Sequence, residues 1–222
     1  MRPLFDRFPM RTDFLIERLS GDLQRVRPRT MLREAAILAG VAIAEVVVFL
    51  GMGFMRPDLP VAMHAPSFWW KLVSMGLIAA LGAGIVLCSI DPTRSPRRGL
   101  RWILVCIVFI FATGWLIDAA EGGFLHLLTR LHWRQGIGCA WRIIALSVPA
   151  VIALIFIIRR GAPSDRTGTA LAGALASGGW GAFVFVFSCP SNDPLYIAVW
   201  YSVGCGIVTL VGKFVLSRFA RW

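Results

Sequence analysis

Runs of about 20 apolar residues recur along this chain, and each is long enough to cross a bilayer core of about 30 Å as a helix. A helix satisfies its own backbone N–H and C=O groups, which lipid cannot do. The chain has 222 residues, 57% of them apolar and 16% charged. Its mean hydropathy is +0.71. A soluble domain carries about 25% charged residues, so a soluble globular fold is excluded. The reading is an all-α integral membrane protein, with six transmembrane helices and a short amphipathic N-terminal cytoplasmic helix. The spans are expected at about 35–54, 68–89, 100–118, 139–158, 169–188 and 195–217.

The joining segments set the orientation. The net charge of +11 falls in blocks rather than on one face, which argues for membrane topology before nucleic-acid binding. Eighteen of the 23 Lys and Arg residues fall before the first span, in the second and fourth connections, or at the C-terminal end. The exceptions are Arg56, Lys71, Arg130, Arg134 and Arg142. The positive-inside rule then places both termini in the cytoplasm. No cleavable signal peptide is apparent, because the first apolar run starts after about 34 residues and exceeds a signal h-region. The connections are short, so sequential spans are expected to pack as antiparallel hairpins. The fifth span carries Ala170, Ala174, Gly178 and Ala182 at four-residue spacing, beside Thr169, Gly173, Ser177 and Gly181. Small residues permit close backbone approach and suit a central helix. Trp69, Trp70, Trp102, Trp133, Trp141 and Trp222 fall near interfaces, as an aromatic belt would.

Residues 1–34 form a polar, basic arm, and 35–222 the six-helix membrane domain. Within the arm, 12–26 reads as a helix capped by Thr12 or Asp13 and ended by Pro28. Leu15, Leu19, Leu23 and Val26 form one stripe, with Ile16 beside it. Such a stripe can lie on the inner leaflet or dock into a groove of a cytoplasmic protein. Three acids among its five charges favour protein docking. Residues 1–9 hold two prolines and no helical period, and are expected to be dispensable, consistent with an upstream start codon.

Cys139 and Cys189 are expected at the outer ends of the fourth and fifth spans. A pair there can form a disulfide, bind a soft metal as thiolates, or simply fill buried space. The turn after Cys189, with Pro190, Ser191, Asn192, Asp193 and Pro194, must join two spans tightly. Cys88, Cys106 and Cys205 read as packing residues. His64, His126 and His132 lie in the outer connections without convincing ligand spacing. Glu45 falls midway along the first span, where a charged carboxylate costs about 2.5–3.5 kcal/mol on insertion scales. It serves either a proton-coupled transporter or a neutral, hydrogen-bonded packing role. There is no serine/histidine/acid set, Walker loop, HExxH or dinucleotide fingerprint, so no catalysis and no cofactor are expected.

Four segments carry a family resemblance: MRTDFLIERLSGDLQRVRP (10–28), FWWKL (68–72), CAWR (139–142), and SCPSNDPLYIAVWY (188–201) followed by a basic end in RW. Together they resemble the NrsF-type membrane anti-sigma factors, six-span proteins of bacterial inner membranes. The resemblance implies regulation rather than transport or catalysis. Its cytoplasmic N-terminal segment would hold an extracytoplasmic-function sigma factor inactive. A pair of outer-side cysteines would be tied to heavy-metal or oxidative stress, and by position these are Cys139 and Cys189. The sigma-docking residues would be Asp13, Leu15, Ile16 and Leu19, with Leu23 added by the helical stripe. No direct nucleic-acid contact is expected. Bridging the thiols would draw the fourth and fifth spans together and tilt the inner connection at 159–168.

Overall fold

The computed structural model describes residues 16–17, 20–21, 30–91, 94–121, 131, 133–161 and 163–219. The chain separates into Met1–Thr30 and Met31–Trp222. In the first unit Ile16, Glu17, Ser20 and Gly21 are helical, and Ile16 is exposed. Asp13, Leu15, Leu19 and Leu23 lie outside the described residues.

In the second unit six helices are long and apolar enough to cross a membrane: α1 (Met31–Gly51), α2 (Pro66–Ser89), α3 (Arg97–Glu121), α4 (Trp133–Arg160), α5 (Arg166–Phe185) and α6 (Pro194–Phe219). No strand occurs among the described residues. Each helix overlaps an expected span, and the ends differ for local reasons. Gly53, at φ 75°, takes the left-handed conformation just beyond α1, so that helix stops before 54. Helix α4 starts at Trp133 rather than 139, because WRQGIG is too polar to register as a span yet continues the helix. Helix α5 ends at Phe185 and not at 188. The Asp165 carboxylate accepts from Gly168 N at 2.9 Å and so caps its start.

Helix α5 is the hub. Of its apolar stretch 72% is buried, against 6% for α1, although α5 has the lowest mean hydropathy of the six at 1.2. A central helix faces protein rather than lipid, so closeness of approach matters more than hydropathy. A Cβ on Gly179 would stand 2.9 Å from Ala79 N, and one on Gly82 would stand 2.8 Å from Ala172 O. Helices α2 and α5 thus each present a glycine to the other's backbone. Their contact is the most extensive in the bundle, although they are not sequential. The hairpin expectation is met by α2–α3, α4–α5 and α5–α6, but not by α1, which packs more on α4 than on its sequential neighbour α2; α4 also packs on α6. On α4's side of the hub, a Cβ on Gly181 would stand 2.6 Å from Ile143 O.

The tryptophans divide. Trp69, Trp102 and Trp133 are exposed near helix starts, and Trp141 is exposed about two turns into α4. Trp70 turns inward and donates to Ile110 O and Thr113 Oγ1 of α3, both at 3.2 Å. Trp222 lies outside the described residues.

Candidate functional site

The connection between α5 and α6 is built by its punctuation. After Phe185 the chain keeps turning, with Ser188 N and Cys189 N both donating to Phe185 O at 3.0 Å. Pro190 has no N–H to continue this and disfavours helix at the residue before it. Asp193 Oδ1 then accepts from Leu195 N at 3.0 Å and Tyr196 N at 3.4 Å. Pro194 opens α6, at a position where a missing N–H costs nothing. Cys189 therefore hangs from a structured turn, fully buried.

Cys139 is six residues into α4, not at its head. That inward position lets it meet Cys189. The two side chains approach closely enough to share a proton, and both are free thiols. Cys139 Sγ also lies 3.2 Å from Tyr196 Oη. Tyr201 is buried against Cys189, its hydroxyl without a well-formed hydrogen bond. Phe68, Ile143, Phe185 and Trp200 complete the buried cluster, and Trp200 Nε1 donates to Leu131 O at 2.8 Å. The Cys189 thiol is held below the ordinary thiol range, first by its hydrogen bond with Cys139 and then by the Lys71 ammonium, against the opposing effect of burial.

Two basic side chains fasten this turn. Arg56 is 6% exposed. Its Nη1 donates to Cys189 O at 2.8 Å and to Asn192 Oδ1 at 3.0 Å. Its Nε and Nη2 form a bidentate pair with Asp58 at 2.7 and 2.6 Å. Its backbone N–H donates to Phe187 O at 3.0 Å. The guanidinium holds the Asp58 carboxyl below the usual carboxylate range. Lys71 is fully buried, and its Nζ donates to Ser191 O at 2.9 Å with the Phe68 ring 5.6 Å away. A buried ion costs several kcal/mol unless its partners compensate. Charge-assisted hydrogen bonds supply about 1.5–3 kcal/mol each. Sequence reading treated Arg56 and Lys71 as stray outer charges and passed over Tyr196 and Tyr201. The available signal was that these two cations run against the charge asymmetry of the chain.

Other candidates stay apart from the thiols. His64 is exposed and bonded within its own connection, Nδ1 to Pro60 O at 2.9 Å. His126 and His132 lie outside the described residues. Among the described residues no group of three or more His, Cys, Asp or Glu could hold a metal. Glu45 Oε2 accepts from Trp180 Nε1 of α5 at 2.9 Å, the hydrogen-bonded arrangement offered as one of its two roles. Cys205 Sγ donates to Gly178 O at 3.4 Å, tying α6 to α5.

The chemistry open to a juxtaposed dithiol is specific. A two-electron oxidant can take two electrons and two protons from the pair and leave one S–S bond. A soft cation or metalloid can instead replace the two thiol protons and bridge the sulfurs.

Residues 19–222 match the family described as "Negative regulator of sigma F". The anti-sigma-F factor NrsF of Caulobacter vibrioides (strain NA1000 / CB15N) is 32% identical over 219 residues, spanning 96% of this chain and 100% of that protein. The probable anti-sigma-F factor NrsF of Azospira oryzae (strain ATCC BAA-33 / DSM 13638 / PS) is 26% identical over 220 residues, again 96% of this chain and 100% of that protein. No solved structure matches the chain.

Proposed function

The chain belongs to the negative regulator of sigma F family, and from that premise we propose that it is a multi-pass inner-membrane anti-sigma factor. It sequesters an extracytoplasmic-function sigma factor through its cytoplasmic arm and releases it when the Cys139–Cys189 pair is oxidised or bridged by a thiophilic metal. Both termini face the cytoplasm, and the thiols face the periplasm, an oxidising compartment in which such a pair can respond. The arm's docking residues are Asp13, Leu15, Ile16, Leu19 and Leu23. The observation that carries the sensing part is the pairing of two free, buried thiols, one from α4 and one from the turn between α5 and α6, each with a tyrosine against it.

Moving an equilibrium from mostly held to mostly released needs about 5 kcal/mol of differential stabilisation. A disulfide supplies about 2–4 kcal/mol, so closing the pair provides much of the shift if the closed pair belongs to the releasing state. Cys139→Ser and Cys189→Ser are each expected to abolish induction of sigma-dependent transcription by oxidant or metal while repression persists. The double variant should be no worse than either single one, because the pair acts as a unit. Full induction in both single variants would show the cysteines to be packing residues.

A further inference from the structure

Helix α1 stands between the two functional ends of the chain. The arm precedes it directly, and Arg56 follows it by five residues. At that far end Arg56 grips the cysteine turn through Cys189 O and Phe187 O. Along the rest of its length α1 is weakly held. Only 6% of its apolar stretch is buried; it packs mainly on α4, and an open groove of about 370 Å³, lined largely by alanines, runs beside it between α1, α2, α4 and α5. Nearer that far end than the arm, Glu45 bonds to Trp180 on the hub.

We infer that Arg56 is a positioning residue that ties the Cys189 turn to α1, and that α1, pivoting at its Glu45–Trp180 contact, carries the state of the thiol pair to the arm. This rests on the reading of Cys139 and Cys189 as the sensor. A disulfide brings the sulfurs to about 2.05 Å, and Cys139 Sγ now lies against Tyr196 Oη. Closing the pair draws the Cys189 side chain toward α4, and the turn that carries it is held by Arg56 at Cys189 O. The guanidinium is a rigid fork with its donors committed to Asp58, Cys189 and Asn192, and its burial leaves no water to replace one. It must follow the turn or lose a buried bond. The alternative route, a tilt of α4 and α5, pushes backbone against backbone at Gly179 and Gly181. Helix α1 has open volume beside it. Motion is cheaper there.

The test uses the full chain with its sigma factor and a sigma-dependent reporter, in a background with Cys88, Cys106 and Cys205 changed to Ser. Diamide and cadmium chloride are the probes. Closure of the pair is read in the same cells by loss of maleimide-polyethylene glycol labelling. Trp180→Phe should still close the pair on diamide while induction falls about tenfold, within the usual range of coupling between sites. Arg56→Gln should lose induction, and Arg56→Lys, which keeps the charge without the fork, should recover part of it. Wild-type induction in Trp180→Phe and Arg56→Lys alike overturns the role of α1, including where Arg56→Gln fails to accumulate. Full induction with Cys139→Ser and Cys189→Ser would instead overturn the sensor reading itself, which separates the two failures.

Discussion

At the scale of single residues, the thiol pair is asymmetric. Cys189 faces the Lys71 ammonium and shares a proton with Cys139, so it is the thiol that ionises first. The thiolate is the nucleophile, so a lowered pKa moves the rise of alkylation rate to lower pH. In a chain with Cys189 and Cys139 as its sole thiols, the rate of Cys189 alkylation by N-ethylmaleimide should reach its plateau below the range of a free thiol. Replacing Cys139 by Ala, which has no donor, removes the largest cause of the shift, and the profile should move up toward about 8.5, the value of an unperturbed cysteine. An unmoved profile would contradict the shared proton. The residues that make this asymmetry were half legible. Lys71 and Arg56 were visible as cations on the side that the charge rule leaves poor in them. Nothing in one sequence says that they converge on Ser191 O and Cys189 O, because those contacts span long separations in the chain.

At the scale of helices, the small-residue rows on α5 identified the hub, since Ala170, Ala174, Ser177 and Ala182 are all buried there. They did not identify α2 as its principal partner. That pairing depends on Gly82 and Gly179 meeting the opposite backbone, a register invisible to periodicity. The start of α4 was missed for another reason: a helix can overrun its apolar stretch, and hydropathy marks only that stretch. The overrun matters, because it sinks Cys139 to the depth of Cys189. Packing at the hub yields a prediction with a built-in control. Gly→Ala in a helix gains up to about 1 kcal/mol from propensity. Gly179→Ala adds a Cβ 2.9 Å from a backbone nitrogen, and such overpacking costs about 1–3 kcal/mol. Gly84, on the same bundle, has nothing within 4 Å. Denaturant unfolding in detergent should show Gly179→Ala destabilised and Gly84→Ala unchanged or firmer; equal behaviour would contradict the close α2–α5 approach.

At the scale of the whole molecule, the apolar runs made the six-helix membrane fold legible, and family membership followed from segments spread over the chain. The docking stripe of the arm rests on its spacing in sequence and on the family. Its test lies in the partner it holds. The most direct measurement is capture of the tagged full-length chain from solubilised membranes, with the bound proteins identified by mass spectrometry. A sigma factor of the extracytoplasmic-function class should co-purify with the wild type at near-stoichiometric level. Leu19→Asp should lose most of it, since a buried leucine contact is worth on the order of 2 kcal/mol. A wild-type chain that is abundant, folded and free of any sigma factor would contradict the central claim.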